Sequence, residues 1–132
     1  MNRLQFSANL GFLWTELPID QAILRAADAG FSGIEMHWPD PKDISKIKSA
    51  IVAANLPLLS LNTVPGQKQD GDFGLCALPG RRGDAKAAID LAVDQAQALG
   101  AKFIHVMAGN ASGPASHATF VENLTYALDI TR

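Results

Sequence analysis

Five side chains in this sequence can bind a small polar molecule and stand where an α/β chain places its function: Asn9, Glu35, Asn62, Arg81 and His105. Asn9 either hydrogen-bonds a ligand hydroxyl or ties the backbone of its own loop. A carboxylate at Glu35 is costly to bury without a partner, so it serves either a structural ion pair or a ligand. Asn62 suits ligand contact or the start of a turn. Arg81, with Arg82 beside it, presents a guanidinium fork of the kind that grips a carboxylate at two points; the alternative is a pair of solvated arginines. His105 lies in an apolar run, where a histidine is either a satisfied core residue or a base. Trp14, His37 and Trp38 line either a pocket mouth or a packed loop. Cys76 and His117 are expected to be structural. No His-x-x-x-His or Cys-x-x-Cys spacing occurs, so local motifs build no metal site.

The elements that must hold these residues follow from periodicity. Strands are predicted at Leu4–Leu10, Gly33–Met36, Pro57–Leu61 and Phe103–Met107. Helices are predicted between and after them. The first starts at Leu17-Pro18-Ile19 and buries Ile19, Ala22, Ile23 and Ala26, with Gly30 as a left-handed cap. The second starts at Asp40-Pro41 or Asp43, buries Ile44, Ile47, Ile51 and Ala54, and ends at Asn55. The third is capped by Asp84, buries Ala85, Ala88, Ile89, Ala92, Ala96 and Leu99, and ends at Gly100. The fourth is capped by Ser116 and shows Phe120, Leu124 and Leu128.

Four strand–helix units in strict alternation imply parallel strands joined by right-handed crossovers. In such sheets the loops after the strands carry function, and here those loops hold the candidates. A (β/α)8 barrel uses about 250 residues, or about 31 per unit, so 132 residues correspond to an N-terminal half of about four units. The end, Leu128-Asp129-Ile130-Thr131-Arg132, offers no glycine cap and no closing strand, and is expected to be a cut. The rival is a small doubly wound sheet, but no Gly-x-Gly-x-x-Gly follows the first strand and no phosphate loop occurs.

Composition narrows the partners. Eleven basic and 13 acidic residues give a net charge of −2 without a basic run, which argues against nucleic acid and anionic membrane surfaces. The single cysteine forbids an intrachain disulfide and fits a reducing cytosol. The start is too polar for a signal peptide, and no run of about 18 apolar residues suggests a membrane span. A half-barrel leaves two open strand edges. Phe6, Ile34, Leu59 and Ile104, or their neighbours on the other pleat face, would fill a closed barrel, so self-association is expected.

Four blocks carry a family resemblance. Phe6-Ser7-Ala8-Asn9-Leu10 and Gly30-Phe31-Ser32-Gly33-Ile34-Glu35 resemble the first two strands of the hydroxypyruvate isomerases. Gly74-Leu75-Cys76-Ala77-Leu78-Pro79-Gly80-Arg81 resembles the segment before their third helix, and Val121-Glu122-Asn123-Leu124 their fourth helix. The resemblance implies a xylose-isomerase-like TIM barrel that interconverts small 2-oxo and aldehyde hydroxy acids, such as hydroxypyruvate and tartronate semialdehyde. It implies enediol proton transfer by two glutamates with a divalent metal, Mg²⁺ or Mn²⁺. Those glutamates and metal ligands belong to the fifth to eighth strands, so no catalytic or metal-binding residue is expected here. Asn9, Glu35, Asn62, Arg81 and His105 would form part of the substrate wall. The loop Thr63-Val64-Pro65-Gly66-Gln67-Lys68 departs from the family pattern, which leaves open a 2-oxo-tetronate isomerase or a sugar epimerase of the same superfamily. A non-catalytic binding or assembly module is the reading from another class.

Overall fold

A computed structural model describes residues 4–132. The elements are β1 (Ser7–Asn9), α1 (Ile19–Asp28), β2 (Gly33–Glu35), α2 (Ile44–Ala54), β3 (Leu58–Asn62), α3 (Arg82–Leu99), β4 (Phe103–His105) and α4 (Pro114–Asp129). Short 3-10 turns precede α2 at Pro41–Asp43 and follow β3 at Lys68–Asp70. The four strands form one sheet in the order β1-β2-β3-β4. β1 pairs parallel with β2, Asn9 opposite Glu35, and β2 pairs parallel with β3. Strand order equal to chain order is the connectivity of a barrel half and excludes the doubly wound alternative.

Contacts divide the chain into two compact units. The first comprises residues up to Leu61 together with Gln95–Ile104. Its core is Ala8, Ala22, Ile23, Ala26, Ile34, Ile47 and Leu61, each under a tenth exposed. α1 buries Ala22, Ile23 and Ala26 as its periodicity predicts, while Ile19 is half-buried. Gly30 takes φ +83 and lets the chain leave the helix, which an L-residue would resist. Asn55 does the same for α2 at φ +52. The predicted stripe of α2 is displaced: Ile47 and Ala50 are buried, whereas Ile44, Ile51 and Ala54 are half-buried. A one-sided layer needs only the residues nearest its centre, and the flanks of the stripe stay wet. Gln95 is buried and donates to the Pro39 carbonyl at 2.8 Å, pinning the start of α2's approach.

The second unit comprises Asn62–Asp94 with His105–Arg132. α3 begins at Arg82, earlier than a cap at Asp84 requires, because the Arg81 carbonyl already accepts from the Ala85 N–H at 2.9 Å. Asp84 therefore lies in the first turn, where its charge suits the helix N-terminus. α4 begins at Pro114 and is capped by Gly113, correcting the expected Ser116 cap. Gly113 has φ +90, and Pro114 at the first helical position loses no hydrogen bond. Ser116 and Asn123 are the buried positions of α4; Phe120 and Leu124 are half-buried and Leu128 is exposed. A buried asparagine, not leucine, sets the inner face of this helix.

Three of the four strands are shorter than predicted, and β3 keeps its predicted length but starts one residue later, at Leu58. Phe6 is 70% exposed and Leu4 86% exposed, because nothing flanks the outer side of β1 among the described residues. Ile34 is already fully buried within the first unit. Its neighbour Glu35 points to the other face, where it meets two serines.

Candidate functional site

In the first unit side chains from β1, β2 and β3 meet at Glu35. Ser7 Oγ on β1 donates to Glu35 Oε1, and Ser60 Oγ on β3 donates to Glu35 Oε2 at 3.3 Å. The carboxylate thus spans three adjacent strands. Its partners here are hydroxyls rather than the cation of a structural ion pair, one of the two roles open to it from sequence. Two O–H donors fix both oxygens, so the group is a rigid acceptor surface. Asn9 stands opposite Glu35 in the strand register. Its Oδ1 accepts from the Gly11 N–H at 2.9 Å, and its carbonyl accepts from Phe12 and Leu13. That is the loop-tying role. With one lone pair of its side-chain oxygen so engaged, Asn9 can offer a ligand its amide N–H groups and the second lone pair.

The loops after β1 and β2 stack aromatics. His37 meets Phe12 edge-on at 4.8 Å between ring centroids and lies 5.0 Å from Trp38. A Cβ on Gly11 would fall within the His37 ring, so the glycine makes room for the imidazole. Trp14 holds φ +54 and meets Phe31 edge-on at 6.2 Å. A left-handed tryptophan is uncommon and is held by packing.

In the second unit the end of β3 carries Asn62, half-buried. Thr63, fully buried beside it, was not singled out from sequence. Its N–H donates to the His105 carbonyl at 3.0 Å, and its Oγ1 accepts from the Met107 N–H at 2.9 Å. The His105 side chain is exposed rather than a core residue. The loop from Asn62 is folded back by a fork. Arg81 donates from Nη1 and Nη2 to the two Asp72 oxygens at 3.2 Å each, and from Nε to Asp84 at 2.6 Å. Asp72 Oδ2 also accepts from the Gln67 N–H at 2.9 Å. The Gln67 amide and then Arg81 hold the Asp72 carboxyl below its ordinary range. Asp84 and then Asp72 hold the Arg81 guanidinium above its own. The two-point grip anticipated for a substrate carboxylate is here made on Asp72.

Behind this clasp, Leu75 and Cys76 donate to the Met107 carbonyl and Ala77 to that of Ala108. Asn123 Nδ2 donates to the Cys76 carbonyl at 2.8 Å. Gly74 and Gly109 touch backbone to backbone, so a Cβ on Gly74 would lie 2.6 Å from the Gly109 nitrogen. Burial pushes the Cys76 thiol up to about 11, which suits a structural role. Sequence spacing gave no means of pairing Arg81 with Asp72, nine residues away across an irregular loop, or Asn123 with Cys76, 47 residues away.

The structure joins Asn9 to Glu35, and Asn62 to His105 through Thr63; Arg81 sits in its own clasp. Among the described residues no three His, Cys, Asp or Glu side chains come together to hold a metal ion. Glu35, the carboxylate at a strand end, is engaged by hydroxyls. The residues present do not compose a divalent-cation site. No helix among the described residues is long and apolar enough to cross a membrane.

Comparison with known proteins agrees with this architecture. The hydroxypyruvate isomerase of Escherichia coli is 34% identical over 96% of this chain and 51% of its own. The 2-oxo-tetronate isomerase of Haemophilus influenzae is 34% identical over 95% of this chain and 50% of its own. A solved structure, an AP endonuclease of family 2 from Brucella melitensis, superposes with a TM-score of 0.86 at 32% identity, covering 96% of this chain and 50% of that one. The chain therefore spans about half the length of the relatives it matches. Residues 23–132 match the family model described as xylose isomerase-like TIM barrel. With its strand order, its relatives and this match in agreement, the chain belongs to the xylose isomerase-like TIM barrel family and carries one half of that barrel.

Proposed function

We propose that this chain supplies one wall of the substrate site of an isomerase acting on small hydroxy and oxo acids, with hydroxypyruvate and tartronate semialdehyde as the pair. The supporting observation is similarity to named isomerases of this kind over at least 95% of the chain. In the reaction a base removes a proton from the hydroxymethyl carbon, giving an enediol. The proton is returned to the adjacent carbon, and the hydroxyl proton moves to the former carbonyl oxygen. The acid, the base and a divalent metal, Mg²⁺ or Mn²⁺, are assigned to residues outside this chain. The role here is positioning: Glu35, fixed by Ser7 and Ser60, accepts substrate hydroxyls, and Asn9 donates. In the second unit, taken by itself, Asn62 and His105 are the further candidates for substrate contact, and Arg81 holds the loop of that unit. A reducing cytosol suits the single thiol at Cys76.

The test joins this chain to the second half of a curated hydroxypyruvate isomerase and follows solvent deuterium entering hydroxypyruvate in Mg²⁺ or Mn²⁺. The chimera is expected to exchange and the 132-residue chain alone to stay silent. A folded chimera that exchanges neither hydroxypyruvate nor a 2-oxo-tetronate would refute the proposal. So would turnover by the chain alone.

A further inference from the structure

We infer that Thr63 is a positioning residue: its hydroxyl replaces a backbone carbonyl at the last rung between the ends of β3 and β4, and so sets how His105 is presented to substrate. This rests on the proposed contact of His105 with substrate. Thr63, His105 and the residues that hold them all lie in the second unit. β3 ends at Asn62 and β4 at His105, so the rung lies at the margin of both strands. In a parallel ladder the N–H and C=O of one residue both reach the neighbouring strand, at residues two apart. The Thr63 N–H follows that pattern and donates to the His105 carbonyl at 3.0 Å. The second bond departs from it. The Met107 N–H donates to Thr63 Oγ1 at 2.9 Å, a side-chain atom where the pattern puts the Thr63 carbonyl. The main chain can therefore turn away after Thr63 while the hydroxyl keeps hold of the next strand.

These two bonds bracket Val106 and tie the main chain on both sides of it. The Met107 carbonyl is held in turn by the N–H groups of Leu75 and Cys76, at 3.2 and 3.1 Å. With the segment after His105 fixed, the direction of its Cα–Cβ bond is fixed, and only the side-chain rotation remains. Thr63 is 1% exposed, so it offers a ligand no surface of its own, whereas the His105 side chain is exposed. Thr63 therefore acts through His105. A buried amide requires an acceptor. Valine has the shape of threonine but no oxygen, so it leaves the Met107 N–H to find another acceptor, and the peptide groups flanking Val106 rotate to do so. Serine keeps the oxygen and the bond.

Thr63→Val, Thr63→Ser and His105→Ala are made in the joined protein that tests the proposed function, and hydroxypyruvate kinetics are measured well below the melting temperature. Thr63→Val is expected to raise KM about fivefold or more with kcat within about twofold, and Thr63→Ser to keep both within about twofold of the parent. In the His105→Ala background Thr63→Val should add nothing further, because a residue that acts through another is not additive with its loss. A threonine that only stabilised the fold would lower the melting temperature of the valine variant and leave KM alone. That result overturns the inference, as does a valine effect that persists without His105 or that serine fails to rescue. A joined protein that turns over nothing refutes the proposed function instead, and positioning is then read on the 132-residue chain by NMR. The His105 ring signals, identified by their loss in His105→Ala, should move in Thr63→Val and keep their place in Thr63→Ser; unmoved signals in a folded valine variant overturn the inference. If Thr63→Val fails to fold by circular dichroism, Thr63→Ala carries the same expectations and the same refutations.

Discussion

Replacing Asn123 by leucine isolates one buried hydrogen bond. The side chain is 1% exposed, and its Nδ2 donates to the Cys76 carbonyl at 2.8 Å across 47 residues of sequence. Leucine has the branching and heavy-atom count of asparagine with bulkier methyl ends, so no cavity opens, but the carbonyl is left without this donor. A stranded buried polar group costs about 1–3 kcal/mol. The added apolar burial returns part of that, so the net loss is about 1–2 kcal/mol. For a chain of this size that lowers the melting temperature by about 3–8 °C and the urea midpoint by about 0.5–1 M at constant m. Asn123→Asp should cost more, because it sets a buried carboxylate oxygen against a carbonyl. Measurements belong at one fixed chain concentration, since association stabilises. A leucine variant as stable as the parent, or an aspartate variant less disturbed than the leucine one, would show that the bond does not hold α4 to the Cys76 segment.

Gly109→Ala, whose Cβ would strike the Gly74 backbone at φ +97, should cost about 2–4 kcal/mol. Gly71→Ala, at φ +89 with open space around it, should cost about 1 kcal/mol; equal melting temperatures would contradict the close backbone approach. Arg81→Ala should release the loop and speed tryptic cleavage at Lys68, read by mass spectrometry, and an unchanged rate would deny the clasp. Because the Asp72 carboxyl is held below its unfolded value, its contribution is present above about pH 4 and is lost as pH falls through the lowered folded value. Asp72→Asn should therefore flatten the fall of melting temperature between pH 5 and 2, and parallel curves would refute this.

What local chemistry governs was readable from sequence. Gly30, Asn55 and Gly100 end their helices as residue type requires, with positive φ at each. Alternation of apolar runs implies four parallel strand–helix units, but a doubly wound sheet alternates in the same way, and the order β1-β2-β3-β4 is set by pairing that the runs do not encode. Burial that depends on a distant partner was not readable. Asn123 stands in sequence between the apolar positions Phe120 and Leu124, and its burial is explained only by its acceptor at Cys76. Glu35 plainly needed a partner, but nothing in its own strand says that Ser7 and Ser60 provide it. Arg81 looked free to grip a ligand because Asp72, nine residues earlier, is brought back only by the turn at Lys68–Asp70.

The lone thiol turns the second unit into its own clock. Cys76 is wholly enclosed, and its thiolate is disfavoured until the chain around it opens. An alkylating reagent can therefore react only during openings that expose the sulfur. With no other cysteine in the chain, every labelled molecule counts one such event at one place. The Cys76 backbone is tied to both Met107 and Asn123, so the labelling rate reports how often this segment, α4 and the strand-end loop let go of one another, without an added probe or a denaturant.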